Sequence, residues 1–107
     1  MMDFFETHDY LICPAASIAP FPVEQHYVKE IDGFPCETYI DWFSITFAVT
    51  MTSCPVISLP CGFTENGLPV GLQVVGPPRS EGALLRDSTR LEEIFGLNDL
   101  LPIDPMG

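Results

Sequence analysis

From Trp42 to Thr64 the chain carries no charged side chain, and Pro55, Pro60 and Gly62 stand inside that stretch. An apolar run of about 20 residues is long enough to cross a bilayer as a helix. This one is not built for it. Its prolines and glycine break a continuous helix, hydroxyl side chains recur from Ser44 to Thr64, and the flanks Asp41 and Glu65 are acidic. No Lys or Arg is present to set an orientation. The run therefore reads as two buried pieces, a helix before Pro55 and a strand after it, with no membrane association expected.

Residues 38–50 predict the helix. Tyr39, Phe43 and Phe47 recur at i, i+4 and i+8, Trp42, Ile45 and Val49 line a neighbouring stripe, and Thr38 is placed to cap the start. A helix so apolar is expected to be buried on most sides. Pro55 to Phe63 predicts an interior strand covered on both faces. Asn66-Gly67 then signals a hairpin turn with positive φ at both residues, so 55–75 reads as a hairpin. Val70, Leu72 and Val74 face one way on the return strand, and Gln73 is a polar residue that needs partners if buried. Gly76-Pro77-Pro78 stops that strand, and 80–96 reads as a helix capped by Ser80 and ended by Gly96. Its apolar side carries Leu84, Leu91 and Phe95 with Ser88 between them.

Upstream, residues 9–14 predict a short buried strand. A proline-held loop follows to Val23, and a polar surface excursion with Gly33 and Pro35 spans 24–37. The tail, 98–107, is expected to fray or drape over a neighbour. The whole, 1–107, is short enough to be one segment.

Composition adds constraints on partners. Fifteen acids against four bases (Lys29, Arg79, Arg86 and Arg90) give a net charge of -11, which repels phosphate backbones, so no nucleic-acid partner is expected. Hydrophobic residues make up 47% and charged residues 18%, a greasy composition for a chain with so little interior. The surplus favours a covering partner. Cys13, Cys36, Cys54 and Cys61 show no Cys-x-x-Cys spacing, and His8 and His26 do not flank a cysteine pair, so no metal site is expected. The acidic start Met1-Met2-Asp3 has no cationic region of a signal peptide, and a cytoplasmic chain with free thiols is the expectation.

Three blocks occur in an order that resembles the C-terminal end of amidase signature enzymes: Tyr39-Ile-Asp-Trp-Phe-Ser-Ile-Thr, then Pro55-Val-Ile-Ser-Leu-Pro-Cys-Gly-Phe-Thr, then Asn66-Gly-Leu-Pro-Val-Gly-Leu-Gln-Val-Val-Gly76. Asp9-Tyr-Leu-Ile-Cys-Pro14 is similar to an earlier strand of that family. The resemblance covers residues 9–97. It implies an α/β fold, here a partial mixed β-sheet with flanking helices, and hydrolysis of amides by a Ser–Ser–Lys triad with no cofactor.

The triad cannot be assigned to this chain. No Gly-Gly-Ser-Ser-Gly-like stretch occurs, the serines are scattered, and the only lysine, Lys29, lies in the polar excursion. Where the family often has Asn-x-Thr-Gly, this chain reads Thr50-Met-Thr-Ser53. Where it often has Thr-Pro-Thr, this chain reads Cys13-Pro-Ala15. No catalytic residue is expected, and Cys61 with a histidine base is disfavoured because nothing in the sequence brings the two together. Trp42 and Phe43 are candidates for a substrate pocket wall, against plain helix-on-sheet packing. Asn66, Gly67, Gln73 and Gly76 are assigned structural parts. The resemblance implies a small-molecule amide substrate once assembled, with an N-terminal amidase segment, or a second copy, as partner. The rival expectation is a non-catalytic module that associates through its strand edge and apolar helix.

Overall fold

The computed structural model describes residues 1–97 and Asp99; the tail prediction, Asp99 apart, lies outside the described residues. In chain order the elements are α1 (Met2–Phe5), β1 (Leu11–Pro14), β2 (Glu30–Ile31), β3 (Phe34–Pro35), α2 (Tyr39–Trp42), α3 (Ser44–Thr50), β4 (Val56–Phe63), β5 (Pro69–Val75) and α4 (Glu81–Phe95). The fold class is α/β, sheets with flanking helices. β5 is the central strand of the order β1-β5-β4, and both of its ladders are antiparallel. β2 and β3 pair separately.

The core sits where α4 packs on β4 and β5. Leu84 of α4 meets Leu59 and Val74, and Tyr10, Ile57, Leu72 and Leu91 close around them. Leu84 and Leu91 share a helix face at the expected spacing, whereas Leu85 is exposed. Burying a leucine of this kind stabilises by about 2 kcal/mol. Gly96 ends α4 at φ 68°, its N–H bonded to the Glu92 and Glu93 carbonyls. Ser80 stands at the N-terminus, but its hydroxyl donates to the Pro77 carbonyl at 2.6 Å and makes no cap bond.

The helix expected over 38–50 is two helices that meet at Phe43, whose backbone leaves helical geometry at φ -109°, ψ 22°. Aromatic and β-branched residues fill this stretch, and their weak helix propensity leaves little resistance to a break. Each piece is held separately. The Asp41 carboxylate accepts the backbone N–H groups of Glu37 and Thr38, both at 2.8 Å, which closes α2 into one capped turn. Its bond to the Thr38 backbone is the first cause holding the Asp41 carboxyl below the usual carboxylate range. Nor is the stretch buried on most sides: Tyr39, Ile40 and Phe47 are exposed.

Pro55–Phe63 is likewise not interior among the described residues, because β4 is a sheet edge. The ladder shows what that edge offers. Gly76 donates to the Pro55 carbonyl at 2.9 Å, so Ile57 and Leu59 turn their backbone groups toward β5. Val56 and Ser58 therefore turn theirs outward, and Pro60, which has no N–H, limits pairing beyond them. Register shifts between Pro60 and Gly62, leaving Cys61 as a bulge.

The hairpin turn lies where Asn66-Gly67 predicts it but has another form. Only Gly67 of the pair has positive φ, at 80°. Gly67 donates to the Thr64 carbonyl at 2.9 Å, and the Thr64 N–H donates to the Leu68 carbonyl at 2.8 Å. Three residues separate that pair, so a turn over Glu65-Asn66 followed by a left-handed glycine fits where a two-residue turn does not. The polar excursion holds a hairpin of its own. Asp32 and Gly33 both take positive φ (49° and 80°) between β2 and β3. The Asp-Gly pair is the sequence signal for that turn.

Candidate functional site

The loop that follows β1 is tied down at two points. Ala15 donates to the Gly71 carbonyl at 3.0 Å, and Thr46 of α3 donates its hydroxyl to the Ala15 carbonyl at 3.0 Å. Beneath it Gln73 is only 5% exposed, and its amide donates to the Pro14 carbonyl at 3.1 Å. A buried amide left without such a partner would cost about 1–3 kcal/mol. Gln73 thus orders the end of β1.

These ties hold the loop over the hairpin and leave between them a half-open hollow of about 480 Å³. Residues 15–21 form one wall, Trp42 another, and Thr64 with 69–71 the floor. Ile18, Phe21, Trp42 and Val70 give it an apolar lining. Trp42 is fixed by rings on three sides: Phe21 at 5.4 Å, Tyr39 at 5.7 Å and Phe43 at 5.7 Å, all edge to face. Its indole N–H is buried and has no hydrogen-bond partner.

Of the two wall candidates, Trp42 lines this hollow, whereas Phe43 packs behind it on Tyr39 at 5.2 Å. Gly67 serves the hairpin turn, and Gly76 is needed for close packing: a Cβ there would stand 2.5 Å from the Ser80 hydroxyl. Sequence reasoning missed Phe21, Ile18 and Val70 as wall residues. Phe21 lies between Pro20 and Pro22 in an irregular loop, where no periodicity gives its direction.

A second hollow, of about 290 Å³, lies between β1 and α4, with Ile12, Val74, Leu84 and Leu91 among its lining. Ser88 is 2% exposed there, with its hydroxyl unpartnered. At its rim Tyr10 donates to Asp87 at 2.6 Å, and Arg86 donates to the same carboxylate at 3.0 Å. The Arg86 bond first, then the Tyr10 bond, lower the Asp87 carboxyl to about 2.

Cys61 donates weakly to the Val70 carbonyl at 3.5 Å, and His8 is occupied locally by Thr7 at 2.9 Å and by stacking on Phe4. Among the described residues no base is hydrogen-bonded to that thiol. All four cysteines are free, and no group of three His, Cys, Asp or Glu side chains able to hold a metal occurs among the described residues. No described helix is long and apolar enough to cross a membrane.

Comparison with known proteins gives the chain a family. The Amidase family model matches residues 1–85. The glutamyl-tRNA(Gln) amidotransferase A-subunit of Alkaliphilus metalliredigens is 34% identical over 92% of the chain and 19% of its own length. An acylamidase of Rhodococcus erythropolis is 32% identical over 96% of the chain and 22% of its own length. The chloroplastic/mitochondrial glutamyl-tRNA(Gln) amidotransferase A-subunit of Oryza sativa subsp. indica is 37% identical over 76% of the chain and 14% of its own length. The chain belongs to the amidase family. It spans about a fifth of the length of the first two of these relatives.

Proposed function

We propose that this chain is the C-terminal portion of an amidase signature hydrolase acting on carboxamide C–N bonds. It supplies a sheet edge and a pocket wall and leaves the reactive serine and its lysine to an N-terminal amidase segment. The assembled enzyme attacks the amide carbonyl with serine, releases ammonia or an amine, and hydrolyses the acyl-enzyme with water. The chain alone is inactive, and its setting is the cytosol, where its four free thiols stay reduced.

The observation that carries this reading is the exposed apolar surface beside a family match. Val23 is 91% exposed, Phe34 73%, Met51 70% and Phe47 50%. These side chains are left available to a covering partner. The outward backbone of Val56 and Ser58 offers a place for a further strand.

The test is an amide-hydrolysis assay on the pure chain and on the chain co-expressed with the upstream reading frame. Turnover is expected only in the second preparation. Turnover by the pure chain, lost in Cys61→Ala, would overturn the proposal.

A further inference from the structure

α4 lies over β4 and, less closely, over β5, so the same face of β1 has no helix packed closely against it among the described residues. The hollow of about 290 Å³ between β1 and α4 is the gap that results. Ile12 of β1, 54% exposed, stands on one side of it, and Leu91 of α4 stands on the other. Asp87, Leu91 and Ile94 recur at i, i+4 and i+7, so the gap runs on along one flank of α4 to Ile94, which is 76% exposed near the end of the helix. We propose that this flank is the docking site of the chain's own C-terminal segment, Leu100-Leu-Pro-Ile103, which lies outside the described residues and seats a leucine side chain in the hollow. The inference is independent of the amidase reading.

Three observations select this occupant. The first is reach. Gly96, at φ 68°, turns the chain off the axis of α4 beside the open flank. A helix rises about 1.5 Å per residue, so Leu84 lies about 18 Å back from Gly96. An extended chain covers about 3.3 Å per residue, which brings Leu100 and Leu101 level with the hollow. The second is chemistry. Ile12, Val74, Leu84 and Leu91 line the gap, and a leucine side chain entering it leaves water for apolar contact. Pro102 and Pro105 restrict the segment in the unfolded chain, so less freedom is lost when it is held. The third is charge. Residues 97–107 carry Asp99 and Asp104 and no base, in a chain of net charge -11. Arg90 stands at the rim of the hollow and forms no ion pair among the described residues. An acidic segment is repelled by most of this chain and attracted there.

Methyl NOE spectroscopy on the full chain tests the proposal. Cross-peaks are expected from the methyls of Leu100 or Leu101 to those of Ile12 and Leu91. Ile12 is half in water, so Ile12→Asp should fold, and it should abolish the cross-peaks to Leu91 and move the Leu100 and Leu101 methyls to random-coil shifts. Arg90→Glu leaves the apolar lining in place and should lower the ratio of docked to free segment by about two- to fivefold. Cross-peaks among Leu59, Val74 and Leu84 check that both variants keep the core.

Random-coil shifts for Leu100 and Leu101 in the unaltered chain, with no cross-peak to Ile12 or Leu91, would overturn the inference. Cross-peaks found only between labelled and unlabelled copies in a mixed sample would overturn it too, because the segment would then come from a second copy. Cross-peaks to Leu91 that survive Ile12→Asp unchanged would move the segment out of the hollow. None of these results bears on the amidase reading.

Discussion

The stretch after Pro55 closes a core of its own, and the stretch from Ala15 to Cys54 does not. In the first, Leu59, Val74, Val75 and Leu84 are each at most 3% exposed. In the second, Cys36 and Val49 are the buried apolar residues, while Phe34, Tyr39, Phe47 and Met51 face outward. Both stretches are rich in large apolar side chains. The difference lies in what they meet: α4 folds back onto β4 and β5, whereas the rings of Tyr39, Trp42 and Phe43 lie on one another and on Phe21. Apolar patterning states that a surface is to be buried but not which chain buries it. The comparison therefore separates residues that stabilise this chain by itself from residues that it leaves in water.

The largest expected effect is a contrast between the two stretches. Leu84→Ala should cost about 3 kcal/mol in chemical denaturation, because it empties the centre of the core. Phe47→Ala should cost only about 1 kcal/mol, since that residue is already half exposed to water. Equal costs would break the comparison. Ser88→Ala comes next. It removes a buried hydroxyl that has no partner, and should raise stability by about 1 kcal/mol. A loss of stability there would mean that the hydroxyl is satisfied in solution.

Ser53→Gly sharpens the comparison at the boundary between the stretches. Ser53 sits at φ 57°, left-handed backbone that disfavours any side chain, at the position where the family pattern has glycine. The expected gain is about 0.5 kcal/mol after the added freedom of the unfolded chain is set against it. Thermal melts of the two proteins decide it.

The smallest effect is one of pH. The Asp87 carboxyl titrates at about 2 in the fold, against an ordinary value of 3.8. Its pairing therefore favours the folded state above pH 3.8, and that part is lost as pH falls toward 2. Melting temperatures of the chain and of Asp87→Asn should converge over that interval. Parallel curves would remove Asp87 from the account.

Elements with strong local signals were legible in the sequence. The 80–96 helix has a clear apolar face and a glycine stop, and it is found as Glu81–Phe95. The 55–75 hairpin carries its own turn residues, though the turn's geometry depended on a count of loop residues that the Asn-Gly pair alone does not give. The helix at 38–50 failed as a single element because its apolar period does not record the competition between aromatic packing and backbone continuity at Phe43. The position of β4 was illegible for a different reason. An apolar strand reads as interior, yet no described strand covers its outer edge. At the candidate site Trp42 was legible as an aromatic on a helix. The hollow was not, since it depends on a loop brought to Gly71 and Thr46 by contacts distant in sequence.

The central claim is that the exposed aromatic stretch and the β4 edge are covered by an N-terminal amidase segment. Hydrogen–deuterium exchange on the chain alone, and on the chain co-purified with the product of the upstream frame, tests it most directly. The account predicts new protection at the backbone of Val56 and Ser58 and across residues 39–51, with little change in α4. Unchanged exchange at Val56, Ser58 and 39–51 in the co-purified pair would contradict it.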